Sequence, residues 1–151
     1  MYTCEESIII NKPRQYVFAV AETYPLFVTF YRSREILFQD AQTMTVRIGS
    51  EILGMKTSWI GEGRKKRFES IEFTQTQGIF KGLLAVWNFE DRSSDVTSVT
   101  IHIRFSLNLP MIGKFLEQFL GNVKVKKTIR GILMELKRES EQTSPADILQ
   151  K

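Results

Sequence analysis

Between Ser33 and Asn108 the apolar residues of this chain return at every second position, broken only by short polar or glycine-bearing stretches. Side chains that alternate in this way belong to strands with one face against a core. The pattern predicts strands over Ser33 to Gln39, Thr43 to Leu53, Met55 to Gly61, Arg67 to Thr74, Phe80 to Glu90 and Val96 to Leu107. Their connections are Asp40-Ala41-Gln42, Gly54, Glu62-Gly63-Arg64, Gln77-Gly78 and the run from Asp91 to Asp95. None is long enough for a crossover helix, so neighbouring strands must run antiparallel. The β-branched stretch from Tyr2 to Ile10 adds a strand at the front and completes a seven-stranded antiparallel meander.

Helical spacing appears in two places. After Asn11, which can cap a helix with Pro13 in its first turn, Tyr16, Val17, Val20 and Ala21 recur on one helical face until Tyr24-Pro25 stops them. Leu26, Phe27, Val28, Phe30 and Tyr31 follow, too apolar for a solvated loop, and are expected in a second short helix. The other place is Pro110 to Glu141, about 45 Å long if wholly helical. In its front half Ile112, Phe115, Leu116, Phe119, Leu120 and Val123 share a face. Beyond Gly121-Asn122 the apolar direction moves by roughly 120° to Val125, Ile129, Ile132, Leu133 and Leu136. One straight helix cannot bury both faces on one surface, so a kink at Gly121 is expected, with the front half serving as a separate cover.

Strand, two short helices, six strands and a long final helix make an α+β fold in which a curved sheet surrounds the C-terminal helix. Where inward side chains do not fill the space between them, such a sheet and helix enclose a gap suited to apolar molecules.

At 151 residues, with 42% hydrophobic and 25% charged residues, the chain reads as one globular domain over residues 1–141 and a frayed tail over residues 142–151. The lone Cys4 allows no internal disulfide, in keeping with a reducing cytoplasm. No apolar run is long enough for a membrane span, and MYTCEESIII lacks the basic region of a signal peptide, so a soluble protein is expected. The net charge of +4 is concentrated in Arg64-Lys65-Lys66-Arg67 and in the stretch from Lys124 to Arg130, which contains Lys126 and Lys127. Either cluster could touch an anionic membrane surface or RNA.

Catalytic constellations are scarce. The one histidine, His102, alternates with Ile101 and Ile103 and so shares the polar face of its strand with Thr100, Arg104 and Ser106. One histidine and one cysteine do not make a tetrahedral zinc site, and no metal is expected. Glu51 and Glu69 are the best candidates for acid-base work, but their alternating strand positions permit an outward direction and favour solvated charges. The glycines form no phosphate loop. These residues favour a protein that is not an enzyme and holds no cofactor. The aromatics carry more: Trp59, Phe73, Phe80, Trp87, Phe89 and Phe105 lie in expected strands, and Phe27, Phe30, Tyr31, Phe115 and Phe119 in expected helices. A buried Trp59 or Trp87 needs a partner for its indole N–H and could orient a ligand oxygen.

Tyr24-Pro25-Leu26-Phe27-Val28, the alternating strands after it and the stretch Phe80-Lys81-Gly82-Leu83-Leu84-Ala85-Val86-Trp87-Asn88-Phe89 resemble the START-like coenzyme Q-binding proteins. The wider group takes in polyketide cyclases and ribosome-association toxins. The resemblance runs roughly from Cys4 to Glu139 in element order. It implies a START-like helix-grip fold holding a hydrophobic ligand, and for the coenzyme Q-binding branch a polyprenyl quinone. The chain has Thr29-Phe30-Tyr31 where that branch favours Pro-Trp-Cys, and Ala85 where it favours glycine.

The expected ligand-binding set is Phe27, Phe30, Tyr31, Trp59, Trp87, Phe105, Phe115 and Phe119. Arg64, Lys65, Lys66, Arg67, Lys124, Lys126 and Lys127 are the expected contacts to membrane or RNA. The leading expectation is lipid or quinone binding in the cytoplasm, with peripheral membrane contact. A ribosome-associating regulator is the second, resting on the basic clusters. A polyketide cyclase or aromatase is the third, and it needs Arg47, Glu51 or Glu69 to face the cavity.

Overall fold

The computed structural model describes residues 2–23, 33–52, 55–77, 82–106 and 125–142. Seven strands, β1 (Tyr2–Ile10), β2 (Ser33–Gln39), β3 (Thr43–Ile52), β4 (Met55–Lys66), β5 (Ser70–Gln77), β6 (Leu84–Ser93) and β7 (Val96–Phe105), form one antiparallel sheet in the order β1-β7-β6-β5-β4-β3-β2. From β2 to β7 this is the expected meander. β1 departs from it: rather than standing before β2, it pairs along β7, from Tyr2 opposite Phe105 to Ile10 opposite Thr97. The first and last strands thus share one edge region, leaving β2 alone at the other.

Three register shifts bend the sheet, between Ile36 and Phe38, opposite Ile60 and Gly61, and between Asp91 and Ser93. At the second, Thr76 is the extra residue, and its hydroxyl donates to the Ile60 carbonyl at 3.2 Å.

Several expected boundaries move, among them the ends of β5 and β6, which run on to Gln77 and Ser93. β4 continues through Glu62-Gly63-Arg64 to Lys66, so the hairpin turn lies at Arg67-Phe68-Glu69, and Glu69 is a turn residue rather than a strand residue. Glycine at 61 and 63 reads locally as an end of strand. At position 61 the glycine is needed in the ladder because the Phe73 ring of β5 crosses the space a side chain would fill: a Cβ there would stand 2.4 Å from two of its ring carbons.

Helix α1 spans Arg14–Thr23, and the Tyr24-Pro25 stop expected for it lies outside the described residues. Pro13, not Asn11, provides its first accepting carbonyl, to the N–H groups of Tyr16 and Val17. Asn11 instead donates its backbone N–H to Glu141 Oε1 at 3.0 Å. Helix α2 (Lys126–Gln142) buries Ile129, Leu133 and Leu136, with Val125 and Ile132 half-buried beside them, which is the face expected for this half. The second short helix, the front half of the long helix and the kink at Gly121 all lie outside the described residues.

α2 lies along β1 and against α1. It is pinned at both ends. Near its start Glu6 faces Lys126 Nζ at 3.8 Å and Arg130 Nε at 3.2 Å. Near its end Lys137 donates to the Ile9 carbonyl at 2.8 Å and to Glu141 at 2.7 Å. The apolar interior between them joins Ile10, Val17, Phe18, Val20, Ala21, Phe89, Val99 and Ile101 to the α2 face. No helix among the described residues is long and apolar enough to cross a membrane.

Candidate functional site

Strand alternation sorts the sheet into two chemically different faces. Following the register from β1 across the sheet to β3, the inner face carries Tyr2, Cys4 and Ile8 of β1, then Val99, Ile101, Ile103 and Phe105 of β7, and Ala85, Trp87 and Phe89 of β6. It continues with Ile71, Phe73 and Gln75 of β5, Trp59, Gly61 and Gly63 of β4, and Met44, Val46 and Ile48 of β3. His102 and Arg104 fall on the opposite face, as their alternation with isoleucine predicts.

Among the described side chains of this inner face, charge appears at three places, and each is answered by a helix. Glu6 meets Lys126 and Arg130 of α2, Lys65 meets Glu22 of α1 at 2.9 Å, and Asp91 meets Arg14 of α1 at 3.5 Å. These pairs fasten helices to sheet and leave the middle of the face apolar.

The buried residues of that face do not merge into one core. One cluster lies under α1 and α2; a second consists of Met44, Val46, Ile48 and Trp59, with Phe73 packed against it. Between them Ile71, Phe73, Ala85, Trp87 and Ile103 are only half-buried. A stretch of partly uncovered apolar wall on the concave side of a bent sheet is suited to an apolar ligand, because covering it removes that surface from water at about 25 cal/mol per Å².

The expected binding residues divide accordingly. Trp59 and Trp87 both face inward, Trp59 at 8% exposure and edge-on to Phe73 with ring centroids 5.9 Å apart. Phe105 also faces inward, but it is closed over at 2% exposure, its ring 5.3 Å from that of Tyr2 at the far end of the sheet. Burial, and then the hydrogen bond with Cys4, push the Tyr2 phenol up to about 12, so this end of the face holds a neutral hydroxyl. Phe27, Phe30, Tyr31, Phe115 and Phe119 lie outside the described residues.

Sequence alternation missed Gln75. Its strand was expected to end at Thr74, but β5 runs on to Gln77 and brings Gln75 opposite Gly61 on the inner face. The residue is 1% exposed, and neither amide atom of its side chain has a hydrogen-bond partner. The available signal was glutamine two places after Phe73, in phase with the apolar face; the bulge at Thr76 breaks that phase one residue later.

The acid-base candidates are elsewhere. Arg47 is exposed and bound to Glu35 at 2.8 Å, and Glu69 is an exposed turn residue 3.9 Å from Lys66. The Glu51 side chain lies outside the described residues. Among the described residues no group of histidine, cysteine and carboxylate side chains is arranged to hold a metal.

The basic positions are dispersed. Arg64 pairs with Glu62 at 3.1 Å, Lys65 is turned inward to Glu22, and Arg67 lies over the Phe68 ring at 4.7 Å. Lys126 is shared with Glu6, Lys127 is exposed, and Lys124 lies outside the described residues.

Comparison with known proteins agrees with this architecture. The Zhui aromatase/cyclase of Streptomyces sp. R1128 superposes with a TM-score of 0.81 at 15% identity, covering 93% of this chain and 94% of its own. A protein of Thermus thermophilus superposes at 0.79 and 17% identity, covering 92% of this chain and 97% of its own. A START superfamily protein of Mycobacterium smegmatis gives 0.67 at 16% identity, covering 90% and 99%. At these identities the likeness is one of fold. No curated protein matches the chain by sequence. The family model for polyketide cyclase/dehydrase and lipid transport, however, matches residues 13–126, from the start of α1 through all of β2 to β7 to the first residue of α2. With α1 and six of the seven strands inside that match, which spans well over half of the sequence, the chain belongs to the polyketide cyclase/dehydrase and lipid transport family.

Proposed function

We propose that this protein binds and carries a hydrophobic small molecule, a polyprenyl quinone or similar lipid, against the inner face of its sheet, and leaves it chemically unchanged. The observation that carries this reading is the half-buried apolar band of Ile71, Phe73, Ala85, Trp87 and Ile103 between two separate buried clusters. Charges on that face are engaged with helices, so affinity rests on contact area, at about 0.8 kcal/mol for each CH2 buried. Family membership supports the reading through its lipid-transport branch.

Native mass spectrometry of protein purified without detergent, followed by extraction of bound molecules, tests it. A prenyl quinone or lipid at near-unit occupancy is the expected result, and Trp87→Ala should lower that occupancy. Occupancy unchanged in Trp87→Ala counts against this surface as the site.

A second reading, polyketide cyclisation, is favoured by the fold likeness to the Zhui aromatase/cyclase. It requires an inward acid or base. Arg47 and Glu69, two of the three residues expected to serve, stand away from the inner face. Incubation with a linear poly-β-ketone and recovery of a cyclised product would decide for this reading and against simple carriage. Ribosome association rests on the basic stretches, several of whose members are already paired with carboxylates. Co-sedimentation with ribosomal subunits, abolished by neutralising Lys124, Lys126 and Lys127, would favour it.

A further inference from the structure

Three described residues hold buried side-chain polar atoms without a hydrogen-bond partner: Arg14, Gln75 and Ser140. Arg14 and Ser140 belong to helices, and the Arg14 guanidinium still has Asp91 beside it at 3.5 Å. Gln75 alone stands on the inner face of the sheet. Its backbone is fully engaged, N–H to the Leu83 carbonyl at 2.9 Å and carbonyl from Gly82 N–H at 3.4 Å, so the strand does not need the side chain. An amide closed off from water with neither its donor nor its acceptor used is a standing cost to the fold. A leucine or methionine of similar volume would avoid it.

The surroundings say what the amide suits. Opposite Gln75 in the ladder is Gly61, which presents no side chain. Over Gly61 leans the Phe73 ring, and edge-on to Phe73 stands Trp59. Two aromatic rings, a bare backbone and one amide thus share a corner of an otherwise apolar wall. From this arrangement we infer that Gln75 is a specificity-determining residue of the inner-face site, pairing with a carbonyl or hydroxyl oxygen on a flat and otherwise apolar ring. This rests on the inner face being a ligand site. The amide offers a donor to a carbonyl and an acceptor to a hydroxyl, so it selects oxygenated rings over hydrocarbons of the same shape.

The test uses duroquinone and durene, which share one tetramethylated ring and differ in two carbonyl oxygens. The fully substituted quinone ring leaves no open position for addition of the Cys4 thiol. NMR titration of both probes into wild type and Gln75→Met, which keeps the length and removes both polar atoms, measures the preference. The expected result is a roughly three- to tenfold loss of duroquinone affinity in Gln75→Met, the strength of a hydrogen bond made in a closed site, with durene binding kept or improved. Thermal melting without probe should show Gln75→Met at least as stable as wild type, so that the loss is not one of folding. Gln75→Leu should behave alike. If both probes bind with the same affinity ratio in wild type and variants, the inference is overturned while the site stands. If neither probe binds wild type at the inner face, the site reading falls and the inference with it.

Discussion

Phe68 shows how a single residue can be held where its own backbone preference would not put it. It occupies the third position of the turn Lys66-Arg67-Phe68-Glu69 at φ 64°, a left-handed conformation that costs an L side chain about 1–2 kcal/mol. The ring is retained because it meets Phe18 of α1 edge-on at 5.8 Å and joins the main interior cluster, while Arg67 covers it from outside. Packing outweighs strain here, which leads to an inverted order of substitutions. Phe68→Ala loses the ring and keeps the strain; Phe68→Gly loses the ring and relieves it. Urea unfolding should therefore find Phe68→Gly less destabilised than Phe68→Ala by about 1 kcal/mol, opposite to the usual preference for alanine. Equal midpoints would mean that the turn relaxes once the ring is gone. Neither Phe68 nor Gln75 was legible from sequence: the turn was expected a few residues earlier at Glu62-Gly63-Arg64, and Gln75 was expected beyond the strand. In both cases the deciding atoms come from another element, Phe18 for the first and β4 for the second.

The helices hold to the sheet chiefly by their apolar faces, and polar clamps at the ends of α2 add to this. Leu136 of α2 is 1% exposed in the interior cluster, so Leu136→Ala should cost about 2–5 kcal/mol in urea unfolding. Glu6→Gln removes the carboxylate shared by Lys126 and Arg130. Because both bases are well exposed, the loss in stability should stay near or below about 1 kcal/mol, with faster amide exchange confined to the first turns of α2. At the other clamp the Glu141 carboxyl is held below its ordinary value of 4.5, by the Lys137 ammonium first and by the Asn11 N–H next. Asp40, which accepts from the N–H groups of Gln42 and Thr43 in the β2–β3 turn, is likewise held below 3.8. Groups whose pKa is lower when folded add stability above their unfolded value and lose it as pH falls through the folded one. The wild-type urea midpoint should thus decline from about pH 5 downward, and Glu141→Gln should show a shallower decline over the same range. Identical slopes would show that the clamp carries no proton linkage. The buried faces of these helices were readable, since 3.6-residue periodicity acts within a few residues. Their clamps were not, because Glu6 and Lys126 are far apart in sequence.

A sheet that bends around a helix without closing its interior gains stability when something fills the remaining surface. If the inner face carries a ligand, the loaded protein should melt higher than the stripped one. At free ligand a hundredfold above Kd the gain is about 2.7 kcal/mol, or roughly 5–10 °C for a domain of this size. Scanning calorimetry before and after extraction checks this, and coincident melting curves would argue against a bound state specific to the folded form. The seven strands, the antiparallel sense of the meander, the polar placement of His102 and the apolar face of α2 were all present in the residue pattern. Alternation and turn chemistry are local, and they decide which way a side chain faces before any partner strand arrives. They do not decide which partner arrives. β1 alternates as well as any strand here, yet its place beside β7 depends on a ladder between residues almost a hundred positions apart. The same holds for the division of the inner face into two clusters, the glycines kept within β4 and the unpaired amide of Gln75. Each is set by atoms that distant strands bring together, and a linear pattern carries no record of that distance in space.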